Sequence, residues 1–89
     1  MKVEVTQEDI RLASTSCRIY IDPVTGTGCA IERALRRTFG KPVIVGYTAV
    51  MMASGEWQRL PQAITDWIRQ YEYQVDAPAF SFDFELRIG

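Results

Sequence analysis

The last ten residues of the chain alternate strictly between apolar and polar side chains. Successive side chains of a strand point to opposite faces, so this pattern predicts a strand with one fully apolar face and one solvated face. We expect the core to be built on the apolar face, which carries Phe80, Phe82, Phe84, Leu86 and Ile88.

Two other parts of the chain also have strand character. Residues 1–6 alternate in the same way and predict a short strand. Residues 43–52 are rich in β-branched, aromatic and other apolar side chains, and residues 56–60 follow them after a turn at residues 53–55. They predict a β-hairpin, in which Gly46 marks a bulge or a close contact within the first strand.

Three stretches predict helices. A weak Thr-x-x-Asp capping box precedes a short helix at residues 7–14. Residues 28–39 have apolar side chains at helical spacing, with Thr27 as the N-cap and Gly40 as the C-terminal cap. The third helix begins at Pro61, and its apolar stripe is Leu60, Ile64, Trp67, Ile68, Tyr71 and Val75.

This order of elements predicts a single α+β domain over residues 1–89. We expect one antiparallel or mixed sheet of about four strands, with the two longer helices packed on one face. The phenylalanines of the last strand should meet apolar side chains from both helices, which are Leu35, Phe39, Trp67, Ile68 and Tyr71.

Composition excludes several classes of function. The net charge is −1, which argues against a strongly basic nucleic-acid-binding protein and against an acidic DNA mimic. The chain has no histidine, the commonest general base and metal ligand. Cys17 and Cys29 lack the spacing of a zinc site. The sequence therefore predicts no enzyme, no metal site and no cofactor.

Hydropathy predicts a cytoplasmic protein. No apolar run approaches the roughly 20 residues of a membrane span, and the first residues show no hydrophobic signal region. In the cytoplasm Cys17 and Cys29 would be free thiols rather than a disulfide.

A glycine-containing loop precedes the second predicted helix and is the first candidate binding site. Its residues are Thr25, Gly26, Thr27 and Gly28. Free backbone N–H groups at a helix start can bind a phosphate. The loop lacks the P-loop lysine and the dinucleotide-binding spacing, so an ordinary surface loop with a helix cap is the favoured interpretation.

Basic residues cluster at the other end of the same helix. They are Arg33, Arg36, Arg37 and Lys41. Such a patch could bind phosphates or an acidic protein surface. It could equally be a solvated helix face that complements the negative end of the helix dipole, which is the commoner case.

Aromatic and methionine side chains outside the expected core form the third candidate. Trp57 and Tyr73 are typical interface anchors, and Met51 and Met52 give adaptable contacts. Strand edges of a small sheet can also pair across a dimer. The alternative, equally supported by the pattern, is that Trp57 and Met51 point inward.

Four blocks of the chain together resemble a widespread family of small bacteriophage and prophage proteins. The matching blocks are residues 5–10, 28–37, 60–68 and 80–86, and the resemblance as a whole covers about half of the residues, spread along the chain. The family typically has a VTQEDI-like opening, a Cys-Pro-(Val/Ile)-Ala-Leu-Ala helix, a Leu-Pro helix and a Phe-x-Phe-(Glu/Asp)-Leu tail. This sequence departs in having Ala30 instead of proline and in the stretch at residues 17–26.

The resemblance implies a phage origin and action in the cytoplasm of an infected bacterium. Small proteins of this kind often inhibit bacterial defence by binding, so we expect a non-enzymatic inhibitor of an anti-phage defence protein such as a CRISPR effector. The alternative is a homo-oligomeric sponge that sequesters a nucleotide second messenger between the loop and the arginines. A weak nucleic-acid-binding protein is the least favoured reading.

Overall fold

The computed structural model describes residues 1–13, 29–46, 48–71 and 77–88. These residues form three helices and five strands, which confirms the α+β prediction. In chain order they are β1 (Lys2–Val5), α1 (Gln7–Leu12), α2 (Ala30–Phe39), β2 (Val43–Val45), β3 (Ala49–Met52), β4 (Trp57–Arg59), α3 (Gln62–Tyr71) and β5 (Phe80–Asp83).

The strands form two antiparallel sheets and not one sheet of four strands. β1 pairs with β5, and β2, β3 and β4 form a three-stranded meander. The single strand expected over residues 43–52 is in fact a hairpin, because the N–H of Gly46 donates to the Ala49 carbonyl at 2.8 Å and the chain reverses there. Gly46 therefore belongs to a turn, and the prediction of a bulge is wrong.

β5 packs on the helices as its alternation predicts, although the regular strand ends at Asp83. The Phe80 ring lies 5.0 Å from the Trp67 ring of α3, between ring centroids. At the other end, the Phe84 ring lies 6.2 Å from the Phe39 ring of α2 in an edge-on arrangement. The phenylalanine ladder thus contacts both long helices, and this part of the prediction is confirmed.

Helix caps agree with the sequence at two of the three ends that it specified. Thr6 and Asp9 form a reciprocal capping box at the start of α1. Gly40 adopts the left-handed conformation at the end of α2, with φ of 66°. The prediction of Thr27 as the N-cap of α2 is wrong, because α2 begins at Ala30 and Cys29 is its N-cap, without a side-chain hydrogen bond.

The third helix begins with Gln62, one residue after Pro61. The Pro61 carbonyl accepts hydrogen bonds from the N–H groups of Ile64 and Thr65. In the predicted stripe, Leu60, Ile64 and Ile68 are buried, Trp67 and Tyr71 are partly buried, and Val75 lies outside the described residues. Thr65, expected on the wet face, is buried as well.

Cys29 is disulfide-bonded, which corrects the expectation of free thiols. The sequence contains one other cysteine, Cys17, which lies outside the described residues. The expectation rested on the redox state of the cytoplasm, which says nothing about how close the fold brings two thiols.

Candidate functional site

Several residues of the predicted binding sites lie outside the described part of the chain. They are Thr25, Gly26, Thr27, Gly28 and Tyr73. The described candidates are the three arginines of α2, Lys41 in the loop after it, and Trp57 of β4.

Arg37, at the end of α2, is half exposed and pairs with the buried Asp9 carboxylate of α1. Nη1 donates to Oδ1 at 2.7 Å, and Nη2 donates to Oδ2 at 2.8 Å. Nη2 also donates to the Glu4 carbonyl at 2.7 Å. The Asp9 side chain is 1% exposed, so this is a buried carboxylate whose charge Arg37 neutralises.

The pKa of Asp9 reflects this environment. Burial is the largest single influence and acts to raise the pKa, but the hydrogen bonds from Arg37 and from the Thr6 backbone, with the charge of Arg37, outweigh it. The result is a pKa below the ordinary aspartate value of 3.8. In the same pairing, the carboxylate raises the pKa of Arg37.

Arg36 and Glu32 occupy the outer edge of β2 in place of a neighbouring strand. The N–H of Val45 donates to Glu32 Oε1 at 2.7 Å. Arg36 Nε donates to the Val43 carbonyl at 3.1 Å. The two side chains also form an ion pair, with Arg36 Nη2 at 3.3 Å from Glu32 Oε2. Side chains of α2 therefore satisfy the backbone groups that an edge strand usually exposes.

Glu32 is one of the most buried charged residues among those described, at 1% exposure. Burial raises its pKa above the ordinary glutamate value, against the opposing effects of the Val45 N–H and the Arg36 charge. Glu32 is thus a carboxylate whose ionised form the fold only partly stabilises.

The remaining basic candidates are also partly enclosed. Arg33 Nε lies 3.6 Å from Asp9 Oδ1, and its side chain is 26% exposed. Lys41 is partly buried at the end of the loop after α2. The three arginines therefore connect α2 to α1, to β1 and to the edge of β2, while the role of the basic cluster in binding a partner stays a prediction.

The side chain of Gln58 in β4 bonds to the backbone edge of the tail that follows β5. Its Nε2 donates to the Glu85 carbonyl at 2.7 Å, and its Oε1 accepts from the Arg87 N–H at 2.7 Å. The carboxamide thus pairs with the tail that continues β5, as a neighbouring strand would, and links the two sheets. The N-terminal amine of Met1 also pairs with the Glu85 carboxylate.

Among the described residues, none covers the outer edge of β4 in this way. The N–H of Met52 donates to the Glu56 carbonyl, and the N–H of Leu60 donates to the Thr48 carbonyl, which fixes the hydrogen-bonding register. In an antiparallel ladder, the backbone groups of successive residues point alternately towards and away from the neighbouring strand. The backbone of Gln58 therefore bonds to β3, while the backbone N–H and C=O groups of Trp57 and Arg59 point to the opposite side. Within the described residues, no hydrogen bond reaches their backbone groups.

Trp57 also exposes its side chain. Opposite residues of neighbouring strands share a face, which puts Trp57 with Met51 and Ile44 on the face away from the main core. Ile44 is buried and Met51 partly buried, but Trp57 is 60% exposed. The sequence left open whether Trp57 points into the core or outward, and its exposure shows that the inward prediction is wrong. We call the face carrying Ile44, Met51, Trp57 and Arg59 the outer face.

An open groove of about 490 Å³ runs beside the end of β4. Its walls are residues 58–61 on one side and the tail with Met1 on the other. Arg59 and Asp83 contribute charged groups that make no ion pair within the described residues. The sequence predicted this stretch as the second strand of a hairpin and named Trp57 as a candidate, but it did not single out Gln58 or Arg59.

The described residues contain no group of three or more side chains arranged to hold a metal ion. Nor do they include a helix long and apolar enough to cross a membrane.

The chain matches no family model, and comparisons with curated proteins and with solved structures find no match. The phage-family resemblance of the four sequence blocks therefore stays a prediction.

Proposed function

We propose that the protein is a non-enzymatic binding protein whose contact surface is the outer face, centred on Trp57. The observation that carries the proposal is the exposure of this indole, 60% in a domain whose other apolar strand residues are largely covered. Tryptophan is the residue most enriched at the energetic centres of protein interfaces.

The neighbours of Trp57 support the same use. Met51 gives a flexible apolar surface beside the indole, and Arg59 provides a charged group at its rim. An apolar centre with a polar rim is the usual anatomy of a protein interface. The expected partner, by resemblance to phage proteins, is a component of bacterial anti-phage defence such as a CRISPR effector.

The nucleotide sponge has less support. Its phosphate-binding loop lies outside the described residues. The guanidinium groups of Arg36 and Arg37 that would close on the ligand are already paired with Glu32 and Asp9.

Phage plating on bacterial strains that each carry one defence system tests the proposal. The wild-type protein should restore plating on at least one strain, and Trp57→Ser should lose this effect. Leu12→Ser is the matched control, because Leu12 is also exposed, at 42%, but lies on α1. Failure of the wild-type protein on every strain, or full activity of Trp57→Ser, would contradict the proposal.

A further inference from the structure

We propose that two copies of this chain pair antiparallel along their β4 edges, forming a continuous six-stranded sheet. Trp57 of each copy then lies opposite Arg59 of the other. This pairing does not depend on the proposed function, because it uses the backbone edge of β4 whether or not a third protein binds the outer face.

The hydrogen-bonding register of β4 permits a two-fold pairing. Trp57 and Arg59 direct their backbone groups away from β3, and they flank Gln58 symmetrically. A two-fold axis at Gln58 places Trp57 opposite Arg59 of the second copy, and Arg59 opposite Trp57. The outward backbone groups of Trp57 and Arg59 meet across the two copies, and each Trp57–Arg59 pair forms two N–H···O bonds as in an antiparallel ladder. The backbone N–H and C=O groups of Trp57 and Arg59 are then hydrogen-bonded in both copies.

The side chains in this arrangement are complementary. Trp57 and Arg59 both point to the outer face, so each indole meets the guanidinium of the second copy. The indole is 60% exposed, and the Arg59 guanidinium has no ion pair or hydrogen bond within the described residues. A guanidinium over a tryptophan ring is a favourable cation–π pair. The symmetry forms this pair twice.

Other strand edges are less available to a second copy. Glu32 and Arg36 already bond to the edge of β2, and Gln58 bonds to the tail that extends β5. Because β4 is only three residues long, the interface falls below the usual 1,200–2,000 Å² or so of stable complexes. The dimer should therefore depend on concentration.

Sedimentation equilibrium of the purified chain tests the pairing. The molar mass should rise from 10.1 kDa towards twice that value as the concentration increases from micromolar to millimolar. Arg59→Pro removes an N–H that points away from β3, so it should fold but abolish dimerisation. Arg59→Ser keeps that N–H and loses the guanidinium, so it should weaken the dimer about 5- to 30-fold, for two pairs of about 0.5–1 kcal/mol.

A monomeric mass throughout this range would overturn the proposal and leave the proposed function standing. Equal dimerisation of Arg59→Pro and the wild type would also overturn it. Circular dichroism establishes that Arg59→Pro is folded. If it is not, Trp57→Ser replaces it as the second variant, and an unchanged dimer in that variant overturns the pairing. At millimolar concentration Arg59→Ser should show a lower average mass than the wild type, and an equal mass would count against the contact between Trp57 and Arg59.

Discussion

Replacing Arg37 with methionine should strongly destabilise the fold, although Arg37 lies at an exposed helix end. The substitution keeps much of the length of the side chain and removes its charge. Asp9 would then remain buried, at 1% exposure, without its two hydrogen bonds from the guanidinium. The carbonyl of Glu4 would lose its donor as well.

The size of the effect follows from the burial of the carboxylate. Removing one partner of a buried ion pair costs about 3–5 kcal/mol. The Arg37 side chain is 50% exposed, so water partly replaces it, and Arg33 remains 3.6 Å from the carboxylate. We therefore expect a loss of about 3 kcal/mol, a large share of the roughly 4–13 kcal/mol typical for a chain of this length.

Urea unfolding at pH 7, followed by tryptophan fluorescence, measures this loss as a lower midpoint with an unchanged slope. Arg87→Met is the matched control, because Arg87 is exposed and its side chain has no partner within the described residues. It should change the free energy of unfolding by less than about 0.5 kcal/mol. An equally small change for Arg37→Met would refute the reasoning, since Asp9 would then need no partner.

Four further outcomes follow from the structure. The contribution of Asp9 to stability should be lost in an acid titration as the pH falls below about 4, because the pKa of Asp9 lies below its ordinary value of 3.8; a loss of stability beginning near pH 6 would contradict this. Glu32→Gln should gain stability relative to the wild type as the pH rises above 4.5, because burial raises the pKa of Glu32 and disfavours its ionised form in the folded state. Unfolding curves at pH 4.5 and 7 test this, and a difference in unfolding free energy that does not change with pH would count against it. Gln58→Ala should cost about 1–3 kcal/mol for two lost hydrogen bonds to the tail, measured by urea unfolding, and no loss would mean that the bonds to the tail contribute nothing. Gly40→Ala should cost about 1 kcal/mol in thermal unfolding, because its φ of 66° is unfavourable for a side chain; an unchanged midpoint would argue against the left-handed cap.

Local patterns in the sequence predicted the parts of the fold that depend on neighbouring residues. The alternation of the tail predicted which phenylalanines face the helices, and Gly40 predicted the end of α2. The Thr6–Asp9 box predicted the start of α1. These signals succeed because the buried face of a strand and the cap of a helix are determined by residues only a few positions apart in the chain.

The uses of the charged residues could not be predicted in this way. Arg37 stands 28 positions from Asp9, and nothing local distinguishes an arginine that neutralises a buried carboxylate from a solvated one. The same holds for Glu32, whose partner is the edge of a strand 13 positions away. Gly46 gave a further error, because a glycine inside an apolar run is compatible with both a bulge and a turn.

The central claim is that side chains of α2 bond to the backbone groups at the edge of β2, while no described residue bonds to those at the outer edge of β4. Residue-resolved amide hydrogen exchange, measured by NMR at micromolar concentration, tests it most directly. The account predicts a protected Val45 N–H, bonded to Glu32, and a protected Gln58 N–H, bonded to β3, with fast exchange at Trp57 and Arg59. Fast exchange at Val45, or equal protection of Gln58 and Trp57 in the monomer, would contradict it.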